Sequence, residues 1–167
     1  MINKKKSNEF VKFFKNYTLT LSNTIDKINL RNLYKAANLI LKTIKKNKFI
    51  YVCGNGGSAA IANHYICDYF KGLSKYTNLK AKIKSLNSDS YLISAISNDI
   101  AYDQIFKLQA ERYMNKEDIL ILISSSGNSK NIKEVLKFCN KKNFKTIGFS
   151  NFRGGYLAKN SNISIHS

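Results

Sequence analysis

The chain has 167 residues, 44% of them hydrophobic, which fits one globular domain with its own core. Its apolar runs are short and broken by Lys or Asn, which excludes a membrane-spanning segment on sequence grounds. Residues Met1–Lys6 lack the apolar stretch of a signal peptide. The three cysteines have no metal-type spacing and indicate free thiols in a reducing compartment, so we predict a cytoplasmic protein.

The net charge of +18 comes from 28 Lys and Arg against 10 Asp and Glu. Such a charge is typical of nucleic-acid-binding proteins. Here the excess is nearly all lysine and is spread along the whole chain together with many Asn and Ile, as codon usage in an AT-rich genome produces. No nucleic-acid-binding motif accompanies it, so we do not expect a nucleic-acid partner. The positive field would still attract an anionic substrate.

The N-terminal part, residues 8–47, has apolar residues at helical spacing and predicts two helices. The first of them carries an apolar stripe made of Phe10, Phe13, Phe14, Tyr17 and Leu21. A helix that precedes the first strand has no sheet of its own to cover. This apolar face therefore predicts an interface between subunits, and we expect a homo-oligomer.

From residue 48 onward, short apolar runs alternate with helical stretches. Strands are predicted near residues 48–53, 80–86, 118–124, 144–150 and 162–166. Helices are predicted near residues 57–70, 89–97, 101–114, 128–142 and 154–160. This alternation indicates an α/β fold of three layers, in which a five-stranded parallel sheet lies between two layers of helices.

Two loops rich in glycine and serine follow predicted strands: the glycine loop, Gly54–Ser58, and the serine loop, Ser124–Ser129. Each lies where a strand ends and a helix begins, so backbone N–H groups and hydroxyls can converge on one anion. Ligands of parallel sheets bind at this edge. The glycine loop lacks the third glycine of a dinucleotide fingerprint, at Ala59, and the lysine of a Walker loop. We therefore predict a small phosphate ester as the ligand.

The serines allow a second interpretation, because a hydroxyl at the start of a helix often caps it. For Ser126 or Ser129 taken alone, a cap explains the residue as well as a ligand contact does, and the same holds for Ser58. One cap does not require the four serines that surround the Gly-Asn turn, which are Ser124, Ser125, Ser126 and Ser129.

His64 and Asp68 are spaced four residues apart on the helix that follows the glycine loop. Both side chains leave the same face, so they can meet one metal ion or one substrate. A surface pair is the commoner explanation for this spacing. The neighbouring phosphate loop favours a functional pair.

Several motifs in this order resemble the sugar isomerase (SIS) domain of phosphoheptose isomerases. They are Gly54-Asn55-Gly56-Gly57-Ser58, Ala59-Ala60, His64, Ser97-Asn98-Asp99, Ile123 with the serine loop, and Gly154-Gly155. The resemblance covers nearly the whole chain and implies a flavodoxin-like SIS fold. It also implies a homotetramer with one zinc ion per subunit, which converts sedoheptulose 7-phosphate to D-glycero-D-manno-heptose 7-phosphate for lipopolysaccharide or capsule.

The resemblance also implies roles for individual residues. It makes the four serines of the serine loop the phosphate cradle and places Asn55, Gly56, Gly57 and Ser58 near the sugar. His64 and Asp68 would bind the zinc, and Asp68 would act as the catalytic base. Asn98 and Asp99 would contact the substrate, although Asn and Asp are also common turn and cap residues.

The sequence departs from the family in two places. Asp68 stands where the family has a glutamate, one methylene longer, and a misplacement of about 1 Å can cost roughly a hundredfold in rate. The family's C-terminal helix, with a glutamine and a metal-binding histidine, has no counterpart before Ser167. We therefore expect oligomerisation helices over 1–47 and a phosphosugar-binding core over 48–167, with that last helix missing. The alternative function is a non-catalytic SIS module that binds a phosphosugar or a protein, like those that act on the initiator DnaA.

Overall fold

A computed structural model describes residues 4–167, with side chains from Lys6 onward. Residues 1–3, part of the segment tested for a signal peptide, lie outside the described residues. The strands are β1 Phe49–Gly54, β2 Lys82–Ser85, β3 Ile119–Ile123, β4 Lys145–Ser150 and β5 Ile163–His166. The helices are α1 Lys4–Asp26, α2 Leu30–Lys45, α3 Gly57–Cys67, α4 Ser74–Tyr76, α5 Ser90–Asp99, α6 Ile105–Tyr113, α7 Lys130–Lys141 and α8 Gly155–Asn160.

The strands form one parallel sheet in the order β2-β1-β3-β4-β5. The chain passes from β1 outward to β2 and then returns to β3 on the other side of β1. Because the direction of winding reverses between β1 and β3, the loops after these two strands separate and leave a crevice at the carboxyl edge. The predicted five-stranded parallel sheet is confirmed.

Side chains of successive strand residues point to opposite faces of the sheet, and both faces are covered. Ile50 and Val52 of β1 belong to the core on the side of α2 and α3. Tyr51 and Cys53 belong to the core on the opposite side, beneath the layer of α5 to α8. Burying an isoleucine completely contributes about 1.5–3 kcal/mol, so near-continuous apolar strands such as β1 stabilise both layers.

Helix α1 is different because it covers no part of the sheet. Every described side chain from Lys6 to Asn23 is exposed, including the predicted stripe. Phe13 and Tyr17 are 65% and 59% exposed and stack on each other with their ring centroids 6.3 Å apart. The apolar face of α1 therefore has no partner within the described chain.

Three helical segments differ in detail from their predicted form. The segment predicted over 57–70 is α-helical only to Cys67 and continues as a π-helix over Asp68–Leu73. Helix α5 extends to Asp99, so the Asn98-Asp99 pair lies in its last turn rather than after it. The segment predicted over 101–114 begins with a 3-10 turn, Tyr102–Gln104, before α6.

Candidate active site

The glycine loop and the serine loop face each other across the crevice between β1 and β3. They enclose a cleft of about 280 Å³. Its lining residues are Asn55, Ser58, Ile123, Ser124, Ser125, Ser126, Ser129 and Phe152. The structure thus brings most of the predicted substrate-binding side chains to one cavity, with Gly56 and Gly57 next to Asn55 in the chain.

The serine loop is held in place by the loop that joins β4 to α8 and by the first turn of α8. Asn151 donates its backbone N–H to the carbonyl of Ser125, and Leu157 donates to the carbonyl of Gly127, both at 3.0 Å. Gly127 has φ +63°, and a side chain there would collide with the Gly154 carbonyl. A side chain at Gly155 would likewise collide with the Ser126 carbonyl, so the glycines at 127 and 155 let two backbones touch, which fixes the shape of the serine loop.

The serine hydroxyls do not act as helix caps in this structure. Ser129 occupies the N-cap position of α7, but its side chain makes no capping hydrogen bond and its Oγ lies 3.4 Å from Oγ of Ser124. Ser126 Oγ accepts only from the nearby N–H of Asn128, at 3.2 Å. At α3 the N-cap is Gly56, and no side chain caps that helix, Ser58 included. The cap interpretation is thus wrong for Ser58 and Ser129, and their hydroxyls line the cleft.

The glycine loop is anchored by an asparagine that the sequence analysis missed. Asn87, which follows β2, accepts from the Gly54 N–H at 3.0 Å and donates to the Gly54 carbonyl at 2.8 Å. A side chain at Gly54 would collide with Ser58. Asn87 could have been found from the sequence, because it lies just after a predicted strand, at the ligand-binding edge.

Three further residues at the cleft were also missed. Asn131 and Tyr102 both hydrogen-bond to the side chain of Asn55. Phe152, 74% exposed and with φ +54°, also lines the cleft. Asn131 stands at the start of a helix beside the serine loop, which was a readable signal, whereas nothing in the sequence pattern marks Tyr102 or Phe152.

His64 and Asp68 lie on α3 and at the first residue of the π-helix, and neither lines this cleft. His64 Nε2 is 3.4 Å from Asp68 Oδ1, so the predicted pair meets, and the side chains are 71% and 65% exposed. Burial first, and then the Asp68 carboxylate, raises the pKa of the neighbouring Tyr65. π-Helical turns are frequent at functional sites because they change the direction of side chains.

The described residues of one chain do not fit a complete zinc site. A catalytic zinc ion is usually held by three protein ligands, and His64 with Asp68 supplies two. Over residues 4–167 no group of three or more His, Cys, Asp or Glu side chains could hold a metal ion. The other histidine, His166, lies on β5 with its Nδ1 3.4 Å from Oγ of Ser150.

Asn98 and Asp99 are exposed and do not line the cleft either. The amide of Asn98 donates to the Asp99 carboxylate at 2.8 Å. The structure does not bring this pair together with the serine loop. The residue from this part of the chain that reaches the cleft wall is Tyr102, through its hydroxyl.

The cysteines are all thiols within the described chain. Cys53 and Cys139 are buried, and burial raises the pKa of both thiols, that of Cys139 to about 12. Neither is a nucleophile at neutral pH, because the thiolate is the reactive form. Cys67 is exposed and directly precedes Asp68.

Comparison with known proteins now adds to this geometry. The SIS domain family matches residues 12–151. The phosphoheptose isomerase of Helicobacter pylori (strain P12) is 34% identical over 133 residues, which cover 80% of this chain and 69% of that protein. The chain belongs to the phosphoheptose isomerase family of SIS-domain proteins. The family member from Aliarcobacter butzleri is 34% identical over 155 residues, covering 93% of this chain and 81% of its own.

A solved structure of the family has the same fold. The phosphoheptose isomerase GmhA from Neisseria gonorrhoeae superposes with a TM-score of 0.82 at 26% identity, covering 96% of this chain and 85% of that one. The resemblance and the fold predicted from the sequence are confirmed. In residues 4–167 of this isomerase-family chain, no helix has the length and apolar character needed to cross a membrane.

Proposed function

We propose that this chain, as an isomerase of the phosphoheptose isomerase family, interconverts sedoheptulose 7-phosphate and D-glycero-D-manno-heptose 7-phosphate. The observation that carries the proposal is the cleft between β1 and β3, lined by hydroxyls of the serine loop and by Asn55. We further propose a cytoplasmic enzyme that supplies heptose for lipopolysaccharide or capsule.

In this proposal the phosphate lies in the serine loop. The hydroxyls of Ser124, Ser125, Ser126 and Ser129 donate to its oxygens, and the first N–H groups of α7 face the same anion. Hydrogen bonds to a charged group contribute about 1.5–3 kcal/mol each. The net charge of +18 raises the local concentration of an anionic sugar. The phosphate therefore fixes the position of the sugar relative to the glycine loop.

The reaction moves a proton between C1 and C2 of the open-chain ketose phosphate through an enediol. A base removes the carbon-bound proton, and we assign this role to Asp68. Asn98 and Asp99 stay predicted substrate contacts that require movement toward the cleft. Zinc, when bound, polarises sugar oxygens. The donors His64 and Asp68 are an incomplete set, so no step is assigned to the metal.

The experiment that tests substrate binding compares sedoheptulose 7-phosphate with sedoheptulose by calorimetry. If the serine loop binds the phosphate, the phosphorylated sugar binds and the free sugar does not. Inorganic phosphate should compete with the phosphorylated sugar. Equal affinity for the two sugars contradicts the proposal.

A second candidate function is a non-catalytic module that binds a phosphosugar or regulates a protein such as DnaA. The exposed His64–Asp68 pair, with no third metal donor in the described chain, favours it. Coupled detection of heptose 7-phosphate separates the two functions. Phosphate-dependent binding without turnover above background, with zinc supplied, supports the module and contradicts the isomerase.

We also propose a homo-oligomer, a tetramer by resemblance, that forms through α1. The support is the exposed stripe of Phe10, Phe13, Phe14, Tyr17 and Leu21, which covers nothing in its own chain. Exposed aromatic faces of this kind are typical of protein interfaces.

A further inference from the structure

Asn131 is a buried asparagine whose amide is bonded to the predicted sugar-binding residue Asn55. It is only 1% exposed. Its Nδ2 donates to Asn55 Oδ1 at 2.8 Å, and its Oδ1 accepts from Asn55 Nδ2 at 2.9 Å. These two reciprocal bonds join the start of α7, beside the serine loop, to the glycine loop. A buried side chain that holds a cleft residue in this way influences the cleft without lining it.

The orientation of this amide pair is set by the backbone. Asn131 Oδ1 also accepts from the N–H of Ile132, at 2.9 Å. A backbone N–H is only a donor, so the atom that faces it must be the amide oxygen. Reversing both amides would keep the reciprocal pair but would place an NH₂ group against the N–H of Ile132. Helix α7 therefore determines which way the Asn131 amide points.

The same geometry determines what Asn55 can offer to a ligand. Its Oδ1 accepts from Asn131 and also from the Tyr102 hydroxyl, at 3.2 Å. A carbonyl oxygen has two lone pairs, so both are used. Its Nδ2 carries two N–H groups, and one of them is bonded to Asn131. The capacity that remains at the cleft is a single N–H donor.

We propose that Asn131 is a positioning residue that holds Asn55 as a hydrogen-bond donor toward an oxygen of the sugar phosphate. This inference rests on the proposed function for the identity of the ligand. It gives the glycine loop a specificity for acceptor oxygens, which phosphates, carbonyls and hydroxyls all possess. Tyr102 has a smaller role. Its hydroxyl donates to the second lone pair of Asn55 Oδ1, but its side chain is exposed.

The first test measures the orientation itself in the unliganded protein. NMR hydrogen exchange of the side-chain amides should show one slowly exchanging Asn55 proton and one fast one. In Asn131→Ala both should exchange at the rate of an exposed asparagine. Asn162→Ala is the matched control, because Asn162 bridges to Thr146 near the amino end of β4, away from the cleft. Asn55 protons that do not respond to Asn131→Ala overturn the proposal, whatever the ligand is.

The second test is a double-mutant cycle on the binding of sedoheptulose 7-phosphate. Asn55→Ala should weaken binding about threefold to tenfold, as the loss of one hydrogen bond to a ligand does. Asn131→Ala should weaken it nearly as much, and Tyr102→Phe less. The double variant Asn55→Ala/Asn131→Ala should bind like Asn55→Ala alone, because Asn131 acts through Asn55.

Affinity, compared between two destabilised variants, is the readout that separates positioning from a merely structural role. Both Asn131→Ala and the control Asn162→Ala should lower Tm, but the control should leave affinity unchanged. Additive losses of affinity in the cycle overturn the proposal. A wild-type protein that binds no sugar phosphate overturns the proposed function instead, and the exchange experiment then still decides the orientation of Asn55.

Discussion

The serine loop and the His64–Asp68 pair are the two parts of the candidate site, and the structure treats them differently. The serine loop is fixed by backbone hydrogen bonds to the β4–α8 loop and to α8, and by the close approach of Gly127 to Gly154. The pair stands where α3 passes into the π-helix. Its side chains are about two-thirds exposed, His64 Nε2 lies 3.4 Å from Asp68 Oδ1, and the described chain offers no third donor.

This difference indicates that one chain is pre-arranged for phosphate binding but not for turnover. A cleft whose groups are already in place loses little conformational entropy on binding, so it can bind a phosphate without help. Two exposed side chains are free to adopt other rotamers and gain a fixed geometry only when something else contacts them. We therefore expect one chain to bind phosphate on its own, whereas turnover should depend on further contacts to His64 and Asp68.

The largest expected effect is on turnover. Asp68→Asn removes the proposed base while keeping the size of the side chain, so isomerisation should fall by roughly a hundredfold or more. Binding of sedoheptulose 7-phosphate should change little. The measurement is coupled product formation beside calorimetry. Retained turnover in the variant shows that Asp68 is not the base.

The next effect is on affinity. Ser126→Ala/Ser129→Ala removes two donors to the phosphate, each worth about 1.5–3 kcal/mol, so binding should weaken by about a hundredfold or more. Calorimetry measures the change, and unchanged Tm confirms that the loop is intact. Ser88→Ala, which affects a hydroxyl outside this cleft, is the matched control. Unaltered affinity in the double variant refutes the serine loop as the phosphate site.

The third effect is on oligomerisation, which can be changed at the exposed stripe on α1 without altering the serine loop. Phe13→Lys/Tyr17→Lys places charges in the stripe on α1 and should shift the sedimenting species from an oligomer toward a monomer. Phosphate binding should persist in the monomer. Lys12→Glu, on the same helix but outside the stripe, is the control. A wild-type chain that is already monomeric at high concentration contradicts the interface.

The smallest effect concerns the reactivity of the thiols beside Asp68 and beside the glycine loop. Cys67, next to Asp68, is exposed and should react rapidly with a thiol reagent, whereas Cys53, which leads into the glycine loop, is buried and should not. One equivalent should therefore titrate in the folded protein and three after denaturation. Cys67→Ser should abolish the fast reaction. Rapid reaction of two or more thiols would show that the core near the glycine loop opens.

The same thiols predict a pH dependence of stability. Burial raises the pKa of Cys139 from 9.0 to about 12. Between these two values the Cys139 thiol keeps its proton in the folded state and loses it in the unfolded state. Its contribution to the free energy of unfolding is therefore fully present below pH about 9 and is lost between about 9 and 12. Cys139→Ala should flatten this part of the unfolding profile.

Much of the fold could be read from the order of residues alone. Apolar runs such as Ile119–Ile123 are buried from both sides, and their alternation with helical stretches permits only a parallel sheet with two helical layers. The glycine and serine loops at the ends of β1 and β3 were also readable, because parallel strands bring their carboxyl ends to one edge.

Tertiary structure decided which residues meet across that edge. Asn87, which follows β2, and Asn131 of α7 anchor the glycine loop, and their roles depend on distances between segments far apart in sequence. It also decided that Asn98 and Asp99 stay outside the cleft while Tyr102 reaches it. The spacing of apolar residues along the sequence indicates which face of a single helix or strand is buried. Hydrogen bonds between loops depend on the strand order and on how the helices pack against the sheet, which only the folded chain determines.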